Sequence, residues 1–295
     1  MSHDSITEAA AAAGFDLCGV TAAGAVDHSL REQFLERLGY GSYGSMSWLA
    51  RYADMRFDPL AMVPWARTVI VCGKSYPLYP DGALVASYAM REDYHRTVRG
   101  MLEKLCASLR LHGDISCRPF VDSAPVAERY WAVKAGLGAC GRSGMLINPK
   151  AGGAFLIGGV FIDAVCEKSD SPADTDPCRG CRRCVEACPT GAIYADGGIE
   201  ASKCRSYLTI EHKGGFSPWQ RDALRRSPTV FGCDICLRVC PHNRICPEPI
   251  PERFALTARQ WMEIGSNRFR KHYGDTPMSR ISVSMLRRNA AALIE

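Results

Sequence analysis

The stretch 178-CRGCRRCVEACP-189 has four cysteines at C-x2-C-x2-C-x3-C spacing, with a proline directly after the last one. This is the run that binds a [4Fe–4S] cluster. A cubane cluster needs four thiolates around it, and short turns bring three of them to neighbouring irons. The fourth cysteine of such a run binds the other cluster in proteins that hold two. The stretch therefore predicts a domain built around two clusters.

A second, incomplete run supports this prediction. Residues 233–241 repeat the C-x2-C-x3-C-P ending, but the leading cysteine is missing from its usual place. Cys204, well upstream, is the best substitute for it. We therefore assign two ligand sets. The first cluster takes Cys178, Cys181, Cys184 and Cys240, and the second takes Cys188, Cys204, Cys233 and Cys236.

A zinc ribbon and a disulfide framework are the two alternatives for such cysteines. Zinc sites prefer two separated C-x2-C pairs, whereas three cysteines in a C-x2-C-x2-C run crowd a single zinc ion. Both Cys-Pro endings would also be left unexplained. The remaining cysteines, among them Cys246, are scattered and are interpreted as ordinary thiols.

Composition sets the class of protein and its compartment. The chain has 295 residues, 47% of them hydrophobic, which is enough for one large domain and a small one. An odd count of 15 cysteines, no signal peptide and no long apolar run indicate a soluble protein of a reducing compartment, so we expect it in the cytoplasm and away from membranes. The net charge of +5 permits an anionic partner without identifying one.

Helical and strand patterns alternate through residue 165, which predicts an α/β or α+β domain. The predicted helices span 5–14, 28–38, 86–111 and 126–135, and the predicted strands span 17–21, 67–72, 114–121 and 155–162. Residues 167–176 are interpreted as a linker, and 254–295 as a helical, basic tail. We expect three domains: 1–166, a cluster domain at 167–250, and the tail at 251–295.

The large domain has no dinucleotide-binding or phosphate-binding loop. A G-x-G-x-x-G turn after the first strand is absent, and 136-GLGACG-141 is similar only superficially because it follows a helix. A G-x4-G-K-[ST] loop is absent as well. The residues by themselves therefore indicate a redox protein with a second cofactor or acceptor that they do not name.

The chain resembles the epoxyqueuosine reductase family, whose members complete queuosine in tRNA with cobalamin and two [4Fe–4S] clusters. The SYLTIEH and GCDIC…CPHN pieces are the most specific, and they also support Cys204 as the distant ligand. The matching stretches are 44-GSMSWLARY-52 with Arg56 and Pro59, 88-YAMREDYHRTVRGMLEKL-105, 122-DSAPVAER-129, 136-GLGACGRSGMLINP-149, the first cysteine run, 204-CRSYLTIEHKG-214 and 232-GCDICLRVCPHN-243.

The resemblance implies a fold and a reaction. The implied fold is α+β: a nitroreductase-like, cobalamin-binding domain, then a two-cluster ferredoxin-like domain and a short helical tail. The implied reaction is reduction of the epoxide of epoxyqueuosine in tRNA, with electrons from a flavodoxin-type or ferredoxin-type donor. Asp122 stands in the family's D-[ST]-x-P-V position and is implied as the proton donor. Burial beside an apolar corrin is expected to raise its pKa. The alternative is that Asp122 caps the helix near Val126.

Four more residues are implied as cofactor neighbours: Tyr94, His95, Ser123 and Arg142. Tyr94 and His95 belong to a D-Y-H motif on the long predicted helix, although such residues are more often packed or exposed. Arg142 replaces the family's usual lysine, which keeps the charge and changes the geometry.

The short tail leaves the identity of the substrate undecided. Many relatives continue into HEAT-like repeats that help to hold tRNA, and we expect this chain to be a short form without them. Its basic residues are expected to contact phosphates or simply to face water. Two other functions stay open: a corrinoid reductase with a different substrate, and an iron–sulfur electron carrier without corrin.

Overall fold

The computed structural model describes residues 1–172 and 176–294. Residues 173–175 of the predicted linker, and Glu295 of the predicted tail, lie outside the described residues. The helices are α1 His3–Ala12, α2 His28–Gly39, α3 Trp48–Arg51, α4 Ala53–Phe57, α5 Tyr94–Arg110, α6 Glu128–Lys134, α7 Arg183–Ala187, α8 Arg205–Ile210, α9 Pro218–Arg226, α10 Ile235–Arg238, α11 Ala258–Glu263, α12 Ser266–Tyr273 and α13 Val283–Ala291. The strands are β1 Leu17–Ala22, β2 Thr68–Ser75, β3 Cys117–Val121, β4 Ala139–Cys140, β5 Leu146–Ile147 and β6 Phe155–Ile162.

Four strands form an antiparallel sheet in the order β1-β2-β6-β3. Side chains alternate across it, so that Ile70 faces α1 and α5 while Val69 and Val71 face α6. The sheet thus has helices on both faces although its strands are antiparallel. The mixed helix-and-sheet architecture agrees with the expected α+β class.

Two adjacent glycines of β6 leave room for the protein core on opposite faces of the sheet, and Gly158 faces α5. A Cβ at Gly158 would lie 2.8 Å from Val98, and one at Gly159 would lie 2.4 Å from the ring of Phe120. The space that a side chain would need at each glycine is therefore filled by neighbouring core residues. The buried α5 residues recur at helical spacing (Val98, Leu102, Leu105, Leu109). Truncating one such leucine to alanine would cost about 2–5 kcal/mol.

The predicted helix over 86–111 is too long at its N-terminal end. Residues 87–89 form a 3-10 turn, and α5 begins at Tyr94 because the Asp93 side chain caps it by accepting the backbone N–H of His95 at 3.0 Å. This start is important for the site, since it fixes the direction of the first helical turn.

The tail packs on the body of the protein. Trp261, Phe269 and Leu286 are buried in one hydrophobic cluster with Tyr79 and Phe231, which lie far away in the sequence. The domain boundaries expected from the sequence remain a prediction. Among the described residues, no helix combines the length and apolar character needed to cross a membrane.

Candidate active site and cluster centres

Asp122 directly follows β3 and has an unusual backbone conformation. Its φ is +42°, in the left-handed region that residues other than glycine seldom adopt. Its backbone N–H donates to Oε1 of Glu128 at 2.5 Å. Backbone strain of this kind persists only where neighbouring contacts hold it, and it is concentrated at functional sites. The end of β3 is therefore the candidate site.

The carboxylate of Asp122 contacts the side chain of His95. The Nε2 atom of His95 lies 2.9 Å from Oδ2 of Asp122, and Nδ1 of the same ring lies 2.8 Å from Oδ1 of Asp93. Helix α6 begins with Ala127 as its N-cap and has no side-chain cap. The alternative that Asp122 caps this helix is therefore wrong.

This contact shifts the pKa values of both partners. Burial acts to raise the pKa of Asp122, but the hydrogen bond and charge of His95, helped by Tyr94 and Arg280, outweigh it and lower the pKa. The hydrogen bond to Asp122 raises the pKa of His95; burial opposes this shift and Asp93 adds to it. The proton shared by the pair therefore favours His95. The expectation of a raised pKa for Asp122 is wrong for this arrangement, because an ion pair opposes the effect of burial.

Sequence reasoning missed two of the groups around this pair. Arg280 comes from the tail, donates to Oε1 of Glu211 at 2.7 Å, and its charge acts on Asp122. Tyr94 was predicted, and its ring is stacked on His95 with centroids 4.3 Å apart. Glu211 belongs to the SYLTIEH motif, which was the available signal. Nothing in the local sequence marks Arg280, since the fold of the tail brings it here.

A groove of about 800 Å³ extends from Asp122 between α2 and α6. This volume is near the upper end for ligand pockets, roughly 300–1,000 Å³. The groove combines apolar and aromatic side chains with a group of cations. The cations are Arg37, Arg56, Arg129 and Lys134, and the aromatic residues include Phe34, Tyr43 and Trp48.

Two groove residues have perturbed or unsatisfied polar groups. Burial and the nearby charge of Asp122 raise the pKa of Glu128 to about 8. Glu128 is therefore protonated at neutral pH, beside an ionised aspartate. The buried Nε of Arg56 has no hydrogen-bond partner among the described residues, although its Nη1 donates to the Val126 carbonyl at 3.2 Å. Sequence reasoning missed both residues as site residues.

The cysteines of each predicted ligand set lie near one another. The first set lines a cavity of about 300 Å³, which Cys236 of the second set also borders. In the second set, Cys204 interacts electrostatically with Cys233 and Cys188, and Cys236 with Cys233 and Cys204. The two sets are therefore adjacent, and the assignment of each thiol to one cluster remains a prediction.

The surroundings of the thiols suit an iron–sulfur cluster. The backbone N–H of Arg142 donates to Sγ of Cys178, and that of Ala192 to Sγ of Cys188, each at 3.3 Å. Hydrogen bonds to sulfur are among the interactions that tune cluster potentials. Within residues 1–172 and 176–294, no three His, Cys, Asp or Glu side chains converge on a single metal ion.

The other two predicted cofactor neighbours lie in different places. Ser123 adjoins Asp122, and its hydroxyl donates to the Val121 carbonyl at 3.4 Å. Arg142 borders the cavity of the first cysteine set, where its Nη1 donates to the Ala195 carbonyl at 2.9 Å. The structure thus brings Ser123 to the candidate site and places Arg142 at the cysteines.

Two family models match the chain. Residues 177–243 match the "4Fe-4S double cluster binding domain", and this segment contains all eight assigned cysteines. Residues 56–123 match "Epoxyqueuosine reductase QueG, DUF1730", which ends just after Asp122. The expected pair of [4Fe–4S] clusters is therefore confirmed at the level of the family.

Curated relatives extend the match over nearly the whole chain. The epoxyqueuosine reductase of Cyclobacterium marinum is 36% identical over 96% of this chain and 94% of its own length. The chain belongs to the epoxyqueuosine reductase family. The member from Leadbetterella byssophila is also 36% identical, over 97% of this chain and 96% of its own length. The member from Vibrio cholerae is 37% identical over 79% of this chain but only 65% of its own length, so members of this family differ in length.

A solved epoxyqueuosine reductase has the same fold. Its crystal structure with an epoxyqueuosine-modified tRNA-Tyr stem loop is 25% identical to this chain, with a TM-score of 0.87 over 99% of this chain and 80% of the solved one. The similarity covers the sheet, the cysteine region and the tail together.

Proposed function

We propose that this protein is an epoxyqueuosine reductase that acts on tRNA. The reaction converts the epoxide of epoxyqueuosine to the alkene of queuosine, consumes two electrons and two protons, and releases the oxygen as water. The observation that carries the proposal is the hydrogen-bonded pair of His95 and Asp122 at the end of a large groove. This pair can supply protons, and the same chain carries a family-defined pair of redox clusters over 177–243.

Cobalamin is the proposed occupant of the groove. A corrin is a large apolar ring with amide arms and a phosphate-bearing tail, so it needs apolar walls and cations together. The groove offers both, and the buried Nε of Arg56 lacks a partner among the described residues. Arg37, Arg56 and Arg129 would hold the polar parts, and Phe34 and Trp48 would pack on the ring. Bound cobalamin would supply the low-valent, strongly reducing cobalt that this reaction needs.

Asp122 and His95 deliver the protons in this proposal. The proton rests on His95 in the free pair, and Asp122 Oδ2 is the atom that passes it on to the epoxide oxygen as the ring opens. Asp93 holds the other ring nitrogen and orients the imidazole. Glu128 holds the strained backbone of Asp122 and is a second protonated group in the groove. Ser123 and Tyr94 line the immediate surroundings.

The finer architecture is part of the proposal. We infer a nitroreductase-like catalytic domain over 1–166, a ferredoxin-like cluster domain over 167–250 and a helical tail over 251–295. The four-stranded sheet with its flanking helices supports the first, and the family match over 177–243 supports the second.

The proposed electron donor is an acidic carrier of the flavodoxin or ferredoxin type. Two exposed arginines, Arg179 and Arg183, line the cavity of the first cysteine set, and the exposed Arg182 is next to them in the sequence. A carrier with an acidic surface is complementary to these arginines, and the opposite charges would steer it to them. The measured rate of cluster reduction by such a carrier should then fall as salt is added.

Helix α12 is the element that we propose contacts the phosphates of the tRNA. Arg268, Arg270 and Lys271 are exposed on it. Two other arginines of the tail are used internally: Arg287 donates to the Ile264 carbonyl at 2.7 Å, and Arg288 to the His212 carbonyl at 2.8 Å.

The test is anaerobic reconstitution with iron, sulfide and cobalamin, followed by turnover of tRNA that contains epoxyqueuosine under a low-potential reductant. Conversion to queuosine only when cobalamin is present is the expected result. If the protein binds cobalamin but does not convert this tRNA, its substrate belongs to another class. If the protein has both clusters but does not bind cobalamin, the remaining function is that of an iron–sulfur electron carrier.

A further inference from the structure

Arg205 is buried beside the second cysteine set without an acidic partner. Its residue is only 2% exposed, and both Nε and Nη2 lack hydrogen-bond partners among the described residues. It directly follows Cys204 and faces a small cavity that Cys233 also lines. A buried guanidinium without a counter-charge is strongly unfavourable, so its position requires a negative group nearby.

The neighbouring arginine has its charge balanced differently. Arg238 lines the same cavity, but its Nη2 lies 2.7 Å from Oδ1 of Asp81, and its Nη1 lies 4.0 Å from Oδ2 of Asp234. No carboxylate of the described residues forms such a pair with Arg205. The side chains that act electrostatically on Arg205 as negative groups are instead those of Cys233, Cys204 and Cys188, all of the second ligand set.

We propose that Arg205 is the counter-cation of the second [4Fe–4S] cluster and raises its reduction potential. A cubane with four thiolate ligands has a net negative charge, and one-electron reduction of one ferric iron to ferrous adds one more. A fixed positive charge beside it favours the reduced state over the oxidised one. The free Nε–H and Nη2–H groups are hydrogen-bond donors for cluster or cysteine sulfur, which acts in the same direction.

This role requires both the charge and its burial. At the surface, water and salt would screen an arginine and weaken its effect on the cluster. In the dry interior the same charge acts at a low effective dielectric constant. Arg205 thus acts through the cluster and not on the substrate. It sets how readily the second cluster accepts an electron.

The experiment is a redox titration of the reconstituted protein, in which the paramagnetic signals of the reduced clusters are followed by electron paramagnetic resonance. Arg205→Gln should lower the reduced-to-oxidised ratio of one cluster about tenfold at a fixed potential, equivalent to about 59 mV for a one-electron couple. The other cluster serves as the internal reference and should not move. Arg205→Lys, which keeps the charge, should stay within about threefold of the unmodified protein.

Arg238→Gln is the matched control, because Asp81 and Asp234 already offset its charge and a smaller shift is expected. Equal shifts in the two glutamine variants would overturn the specific role of Arg205. Unchanged potentials in a fully loaded Arg205→Gln protein would overturn the proposal outright.

A loading defect also decides the question. If Arg205→Gln and Arg205→Met lose half of the iron while Arg205→Lys keeps it, the charge is required and the proposal stands. If the methionine variant loads fully and the lysine variant does not, the site needs only an apolar filler and the proposal fails. These readings do not depend on tRNA turnover, so they remain valid even if the proposed substrate is wrong.

Discussion

The Nε2 atom of His95 lies 2.9 Å from Oδ2 of Asp122, while Nδ1 of the same ring lies 2.8 Å from Oδ1 of Asp93. The imidazole therefore connects two carboxylates. Asp93 is partly exposed, with 28% of its side chain accessible, so the three groups form a path from solvent to the groove. Because epoxide reduction to an alkene consumes two protons, the donor must be reloaded within one turnover, and this path can do so.

Removing either member of the pair should reduce turnover. We expect Asp122→Asn to lower kcat roughly 10²- to 10⁴-fold, the usual range for loss of a proton donor, and His95→Gln roughly 10- to 100-fold. Single-turnover conversion of modified tRNA measures both. His112→Gln, in the loop after α5, is the matched control and should be neutral. Full turnover in Asp122→Asn would remove this residue from the chemistry.

The rate should fall at alkaline pH. The raised pKa of His95 means that the pair holds its proton below that pKa and loses it as the pH rises through it. The same ion pair stabilises the fold between the lowered pKa of Asp122 and the raised pKa of His95, and this stabilisation disappears on either side. The pH–rate profile of His95→Gln should lack the alkaline decline that starts above the ordinary histidine pKa. An identical profile in the variant would assign that decline to another group.

Glu128 should make the protein less stable as the pH rises. Its folded pKa of about 8 lies above the ordinary value of 4.5, so between these values the folded state binds more protons than the unfolded state. The free energy of unfolding therefore falls with pH in this window, by at most about 1.4 kcal/mol per pH unit. Glu128→Gln keeps an acceptor for the Asp122 N–H and removes the titration. Its thermal midpoint should fall less than that of the unmodified protein from about pH 5 to 8; parallel curves would contradict the prediction.

The local sequence predicted the sheet well and the start of α5 poorly. Strand β6 matches its predicted range, because six of its eight residues are hydrophobic and none has a polar side chain. The start of α5 depends on one cap, Asp93, inside a stretch that otherwise has a helical pattern. Periodicity does not detect such a cap when the residues before it also fit a helical pattern.

In the candidate site, too, local patterns in the sequence predicted some features, whereas features that depend on distant residues were missed. Cysteine spacing indicated the cluster region because the chemistry fixes the ligands within a short run. Arg280 of the tail pairs with Glu211, the residue directly after α8, and its charge acts on Asp122; no local pattern indicates this arrangement. The direction of the Asp122 pKa shift was also out of reach, because it depends on a histidine 27 positions away.

The ligand sets predict which cysteine variants lose iron. Cys204→Ser and Cys188→Ser should each lose about half of the iron and change the signal of the same cluster. Cys181→Ser should lose the other half. Cys246→Ser is the matched control, since this thiol belongs to neither set, and its iron content should not change. Loss of the first cluster in Cys188→Ser would show that the run 178–188 holds one cluster by itself.

Helix α12 should contribute electrostatic affinity for tRNA. Changing Arg268, Arg270 and Lys271 together to glutamine should weaken binding and flatten its salt dependence by about one unit of slope for each lost phosphate contact. Filter binding of modified tRNA over a range of salt concentrations measures both quantities. The matched control changes three exposed cations of α5, Arg99, Lys104 and Arg110, and should leave the slope unchanged. If both triple variants lose the same affinity, only the net charge of the protein is responsible. If neither does, α12 is a solvated helix face and the tRNA phosphates are bound elsewhere.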